Sequence, residues 1–300
     1  MTEPLHPLRV AAAPISWGVC EVPGWGHVLE ARTVLSEMTA LGLTATEVGP
    51  PGYLPAEPRA LRELLGRYGI AAIGGFLALP LHTEPRRALA AARESAALFA
   101  AAGAEVLVLA AATGLDGYDA KPALSDYQWR TLIDTAATIR DIAAEHGLRA
   151  VLHPHVGTHV ETEGEVERFL ADSDLDICLD TGHLLVGGTD PVALARRHAE
   201  RIGHIHLKDV RNHLAGEIRS GRLEYSQAVR QGLYAPLGEG DVDVRALVRC
   251  AHEAGYRGWY VLEQDTALAP GDSAEVPSRD TARSLRYLAD IAAACESARI

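Results

Sequence analysis

The 300-residue sequence predicts one closed (β/α)8 TIM barrel of the α/β class, with residues 1–300 forming a single domain. Three observations lead there. Short apolar runs alternate with helix-like segments along the whole chain, and strands in that alternation lie parallel. Eight such units suit the length, because an eight-unit barrel takes roughly 250 residues or somewhat more. Finally, the apolar runs at 150–152, 177–179 and 202–207 each end in polar groups that a core would reject. These are His153 and His155, then Asp180 and His183, then His206, Lys208 and Asp209. Parallel strands gather their carboxyl ends on one rim, where such folds keep their chemistry.

The elements follow in order. A first strand at 10–19 closes on Trp17 and Gly18, and an amphipathic helix at 28–41 is stopped by Gly42. The second strand, 45–48, carries Glu47 near its end and breaks into Gly49-Pro50-Pro51-Gly52. Helix 59–68 follows and stops at Gly69. Strand three is 70–77, an alanine-rich helix spans 86–102, and strand four is 105–111. Ser125 and Gln128 form a capping box for a helix whose apolar face holds Trp129, Leu132, Ala136, Ile139 and Ile142, ended by Gly147. Strand five is 149–152. A second capping box, Thr162 with Glu165, precedes Val166, Phe169 and Leu170, and strand six is 176–179. Asp190-Pro191, an N-cap followed by proline at the first helical position, opens helix 192–201, and strand seven is 202–207. An excursion at 210–240 interrupts the rhythm and is expected to cover the rim as a lid or substrate loop. Helix 244–254 stops at Gly255, strand eight is 258–262, and helix 281–298 ends the chain.

Composition excludes several classes. Net charge is −12 with no basic stripe, which argues against a nucleic-acid partner, since such proteins draw affinity from clustered Lys and Arg. No apolar run is long enough to span a bilayer, so no membrane association is expected. The first seven residues lack the basic start and apolar stretch of a secretory signal. Cys20, Cys178, Cys250 and Cys295 are scattered without disulfide or metal spacing, and together with the absent signal they place the chain in the cytoplasm.

The candidate site is a set of strand-end residues. His153, Asp180, His206 and Glu263 close strands five to eight, so two imidazoles and two carboxylates are able to converge above the barrel. That donor set suits manganese, cobalt, iron or zinc better than calcium, which prefers oxygen alone. Each residue taken singly has a plainer reading, as a rim histidine or a helix cap; all four at successive strand ends favours a shared ion. Around them stand His155, His183, Lys208 and Asp209. Alternation along a strand turns Lys208 inward if His206 points inward, and a cation there is placed to hold a developing oxyanion. Trp17 and Glu47 are candidates to contact a polyol by stacking and hydrogen bonding. Glu161, Glu163 and Glu165 are better explained by the second capping box and the first turn of its helix.

The segments PISWGVCEVPGWG, TEVGPPGYLP, LHPHVGTHVET, LDTGHL, HIHLKDV and PLGEGDVD together resemble the inosose dehydratases, enzymes of myo-inositol catabolism that act on 2-keto-myo-inositol. These belong to the xylose-isomerase-like sugar isomerase and epimerase barrels. DTGH and HLKD are shared across that superfamily, while the PISWG and HPHVGT segments are more particular to the dehydratases. The resemblance covers nearly the whole chain. It implies manganese or cobalt, with zinc, iron or magnesium as alternatives, and a homo-oligomer. Asp180, His206 and Glu263 match three of the superfamily's Glu, Asp, His and Glu ligands, and His153 stands where the first Glu would be.

That departure removes the pair of carboxylates with which epimerases move a proton out and back. The expected reaction is therefore an elimination from a keto-polyol: a base takes the α-hydrogen and the β-hydroxyl leaves as water. Glu263 or a histidine is the expected base; His155, His183 or Lys208 the expected acid. The alternatives are a sugar (phosphate) isomerase or epimerase, or a lyase acting on a 3-keto-glycoside. A barrel endonuclease fits the charge poorly, and a non-catalytic sugar-binding protein would have no need of four intact ligands.

Overall fold

The structure is a computed structural model describing residues 8–297; the reading of the first seven residues and the end of the last helix at Ala298 lie outside them. Its strands are β1 (Arg9–Ala12), β2 (Ala45–Val48), β3 (Ala71–Leu79), β4 (Val106–Ala111), β5 (Arg149–Leu152), β6 (Asp176–Asp180), β7 (Ile202–Leu207), β8 (Asp209–Val210), β9 (Tyr234–Ala235) and β10 (Trp259–Leu262). Eight of them close a parallel barrel in the order β1-β10-β7-β6-β5-β4-β3-β2, while β8 and β9 pair as a separate antiparallel ribbon.

Alternation along the strands sorts side chains into two cores. Leu107, Leu109, Leu152, Leu179, Ile205 and Leu207 join the large cluster between sheet and helices. The intervening residues fill the barrel: Ala11, Ala45, Ile73 and Val261 in one small cluster, and Val106, Val108, Val151 and Cys178 in another. Glu47, His153, Asp180, His206 and Glu263 stand two residues further along the same alternation. The apolar layers therefore form the floor on which the polar residues rest.

One irregularity sets that register. Ile177 pairs with Ile202, but Cys178 pairs with His204, so Gly203 is an extra residue in β7. Such a bulge shifts which side chains face which way. Here it turns His204 and His206 to the interior, and only glycine fits, because a Cβ would lie 2.5 Å from Val151 Cγ1.

The helix signals map onto real caps. Ser125 and Gln128 form a capping box ahead of Asp126–Glu145, Thr162 and Glu165 do so ahead of Glu163–Asp172, and the Asp190 carboxylate accepts from the backbone of Val192 and Ala193. Several boundaries differ from expectation, among them helix 28–41, which is Ala31–Ala40, strand 70–77, which is Ala71–Leu79, and helix 192–201, which is Pro191–Arg197. The first strand stops at Ala12 and Pro14–Trp17 forms a 3-10 turn, because Pro14 has no N–H to continue the ladder. The last helix starts at Glu275 rather than 281, since Pro277 is tolerated in a first turn. The 210–240 excursion is not loop alone: it holds helices Asn212–Arg219 and Tyr225–Arg230 between β8 and β9. Arg230 donates to the carbonyls of Gly24 and Trp25, and Tyr225 N to Asp119, tying the excursion to two neighbouring rim loops. No helix among the described residues is long and apolar enough to cross a membrane.

Candidate active site

The carboxyl ends of β5, β6, β7 and β10 bring four polar side chains to the barrel mouth. Asp180 divides its work. Its Oδ1 accepts from the backbone N–H of Gly182 and His183, both at 2.8 Å, and so caps the short helix Thr181–Val186. Its Oδ2 turns to the interior, 3.2 Å from His153 Nε2 and 2.8 Å from Lys208 Nζ. His206 Nδ1 lies 3.2 Å from Glu263 Oε2 and 3.6 Å from Asp180 Oδ2. Donor atoms of Asp180, His206 and Glu263 all fall within 4.8 Å of one another, and His153 joins the adjoining triplets with Asp180 and His183 and with Cys178 and His206.

Two carboxylates and an imidazole this close fit a divalent cation. The buried Nδ1 of His206 has no hydrogen-bond partner, as a ligand nitrogen facing an ion would not, whereas His153 turns Nε2 to Asp180. The Lys208 ammonium supplies positive charge at the same place, contacting Asp180, Glu263 and, at 3.2 Å, Asp265 Oδ1. Inward alternation past His206 delivers it there.

The environment fixes the charges. Burial alone would raise Glu263, but His206 and Lys208 outweigh it and hold the carboxyl at about 2. Asp180 is likewise held well below the usual carboxylate range, the Lys208 ammonium overcoming burial. Burial disfavours the Lys208 ammonium, yet Asp180, Asp265 and Glu263 keep it charged well above its ordinary pKa. The histidines above the carboxylates behave oppositely. Burial, with His153, pushes His155 down to about 3, and burial, with His155 and Lys208, holds His183 well below its ordinary value. Neutral imidazoles therefore stand over an ionised, charge-paired floor.

All of these groups except the fully buried Asp180 line a cavity of about 300 Å3. His155 and His183 stack with ring centroids 3.7 Å apart on one wall, and Phe76 lies against His153 and His155. Above them Trp25, Tyr118 and Tyr225 form an aromatic roof, each pair 5.8 to 6.3 Å between centroids.

Of the residues singled out from sequence, His153, His155, His183, His206, Lys208, Glu263 and Glu47 line the cavity. Glu47 accepts from His204 and His206, both through Oε1. Two expectations are corrected. Trp17 is turned into the core, its Nε1 donating to Ser278 Oγ at 3.1 Å, because β1 ends before it. Asp209 is buried, with its carboxylate accepting from the backbone of Val210, Gly238, Gly240 and Val242, so it organises the excursion instead of meeting a ligand. His204 and Asp265 escaped notice although each stands two residues from a predicted ligand, and the alternation that placed Lys208 reaches both. Asp265 accepts from Tyr225 Oη at 2.7 Å, and burial, partly offset by Lys208, raises it to about 6. Nothing in the excursion's sequence marks Tyr225 or Tyr234.

Fold and site together define a TIM barrel with a candidate cation centre at its mouth, and the comparisons agree. The model of the xylose isomerase-like TIM barrel family matches residues 35–291. Inosose dehydratase from Geobacillus kaustophilus (strain HTA426) is 34% identical over 284 residues, covering 90% of this chain and 92% of that protein. The enzyme of the same name from Geobacillus thermodenitrificans (strain NG80-2) is 31% identical over 275 residues, 87% of this chain and 92% of its own. A crystal structure of the probable 3-DHS dehydratase AsbF from Bacillus anthracis superposes with TM-score 0.67 at 14% identity, covering 93% of this chain and 99% of that one, which bears on fold alone. The chain belongs to the inosose dehydratase family of the xylose isomerase-like TIM barrels and is an enzyme of the hydro-lyase class.

Proposed function

We propose that the enzyme dehydrates 2-keto-myo-inositol, or a related keto-polyol, with a divalent metal, manganese or cobalt, held by His153, Asp180, His206 and Glu263. The observation that carries this reading is the convergence of Asp180, His206 and Glu263 donor atoms within 4.8 Å at the floor of a cavity walled by neutral imidazoles. These residues would hold an ion whose Lewis acidity would be available to a ketone and its α-hydrogen.

The chain's own residues divide the proton transfers. His155 Nδ1 lies 2.7 Å from the Val156 carbonyl and donates its proton there, which leaves the Nε2 lone pair free to accept a proton. His183 Nδ1 accepts from the Val156 N–H at 3.5 Å, so its proton sits on Nε2. One backbone residue thus gives two stacked histidines opposite tautomers. His155 Nε2 removes the α-hydrogen; His183 Nε2–H donates to the departing β-hydroxyl, which leaves as water. Lys208 holds the negative charge that gathers on the carbonyl oxygen. The roof of Trp25, Tyr118 and Tyr225 keeps bulk water from the enolised substrate. A cytoplasmic, homo-oligomeric enzyme completes the proposal; the unpaired Cys20, Cys178 and Cys250 support a reducing compartment.

A proton NMR time course with 2-keto-myo-inositol and added manganese tests it. Loss of one water to give a dione is the expected result; an isomer of unchanged mass, or no turnover, would refute the assignment.

A further inference from the structure

Glu47 is a carboxylate in the middle of a barrel. It comes from β2 and reaches across the interior to β7, three strands away around the closed sheet. A buried charge is retained only where partners offset its desolvation, and here the partners are specific. One oxygen, Oε1, accepts from His204 Nε2 at 2.8 Å and from His206 Nε2 at 3.0 Å. The pairing of β2 with β3 shifts register between Thr46 and Glu47, and Gly74 opposite leaves room for the carboxylate.

The consequence falls on the far edge of the His206 ring. Donation to Glu47 keeps a proton of His206 on Nε2, so Nδ1 is the ring nitrogen left to offer a lone pair to an ion. That atom is buried, makes no hydrogen bond and faces Glu263 Oε2 at 3.2 Å and Asp180 Oδ2 at 3.6 Å. Asp180 Oδ2 and Glu263 Oε2, which also contact the Lys208 ammonium, are the oxygens with which Nδ1 would share an ion. A histidine whose second ring N–H is held by a carboxylate is oriented and made a better ligand by it.

We infer that Glu47 is a positioning residue for the cation centre: it fixes the ring of His206 so that Nδ1, not Nε2, is the ligand atom. This rests on the metal reading given under Proposed function. Glu47 with His204 and His206 is also close enough to form a cation triplet of its own, and the two arrangements demand opposite nitrogens of His206.

The test uses full-length protein stripped of metal. Manganese is titrated into wild type and Glu47→Gln, with free ion followed by electron paramagnetic resonance and the fold checked by near-UV circular dichroism. The expected result is one ion per chain in both proteins, with affinity on the order of 10- to 100-fold weaker in the variant. Equal affinity overturns the role of Glu47, and so does a wild type that binds two ions where the variant binds one. Should the variant not fold, nitrogen-15 NMR of histidine-labelled wild type loaded with diamagnetic zinc decides. Zinc on Nδ1 of His206, with a protonated Nε2, supports the inference, and zinc on Nε2 overturns it. A wild type that takes up no ion removes the metal reading itself, an outcome distinct from uptake that is indifferent to Glu47.

Discussion

Val156 is the residue on which the acid–base assignment turns. Its carbonyl and its N–H meet neighbouring histidines, and those two contacts put the imidazole proton on Nδ1 of His155 and on Nε2 of His183. Both rings are buried and neutral, so neither depends on solvent to set its state. Replacing His155 with Gln should lower kcat by about 10²- to 10⁴-fold, the range for a lost general base, while leaving metal uptake intact. Single-turnover kinetics and metal analysis of the same variant check both halves. Asp180 sits at the other extreme, since one oxygen caps a helix and the other faces the candidate ion. Asp180→Ala is therefore a poorer probe of chemistry than of folding.

Strands decide which residues reach the site, and the bulge in β7 decides which way that strand faces. Gly203→Ala drives a methyl group to within 2.5 Å of Val151 Cγ1. It should cost about 1–3 kcal/mol, the usual penalty for overpacking a full core, read as a lower denaturant midpoint. The elements were largely legible in the sequence because capping boxes, stop glycines and apolar runs are local signals. The spans of β2, β5 and β7 coincide with those read from pattern alone. The misplaced end of β1 has a local cause that was overlooked, Pro14. The site was half legible. Residues on strands came within reach through period-two alternation, and carrying that rule two residues either way would have found His204 and Asp265. Tyr225 and Tyr234 could not be found so, because they are delivered by the tertiary placement of helices within an excursion that has no periodicity to read.

At the scale of the molecule, the polar mouth is built on a largely apolar barrel floor that also holds His204, and the rim holds further buried imidazoles that respond to acid. His82 and His159 pack edge to face with centroids 4.2 Å apart. Burial, with His82 and Lys121, pushes His159 down to about 4, and burial lowers His82. The unfolded chain therefore takes up protons near the ordinary histidine pKa of about 6.5, while the folded chain resists until about 4. Stability from this pair is fully present above pH 6.5 and is lost as pH falls through that window. A melting-temperature series from pH 7 to pH 4 should fall more gently in His159→Phe than in wild type. The account as a whole rests on the mouth of the barrel holding an ion. Its most direct test is elemental analysis of purified protein paired with turnover of 2-keto-myo-inositol before and after chelation. One divalent ion per chain, with activity lost on its removal and restored by manganese or cobalt, is the predicted result; undiminished dehydration by metal-free protein would contradict it.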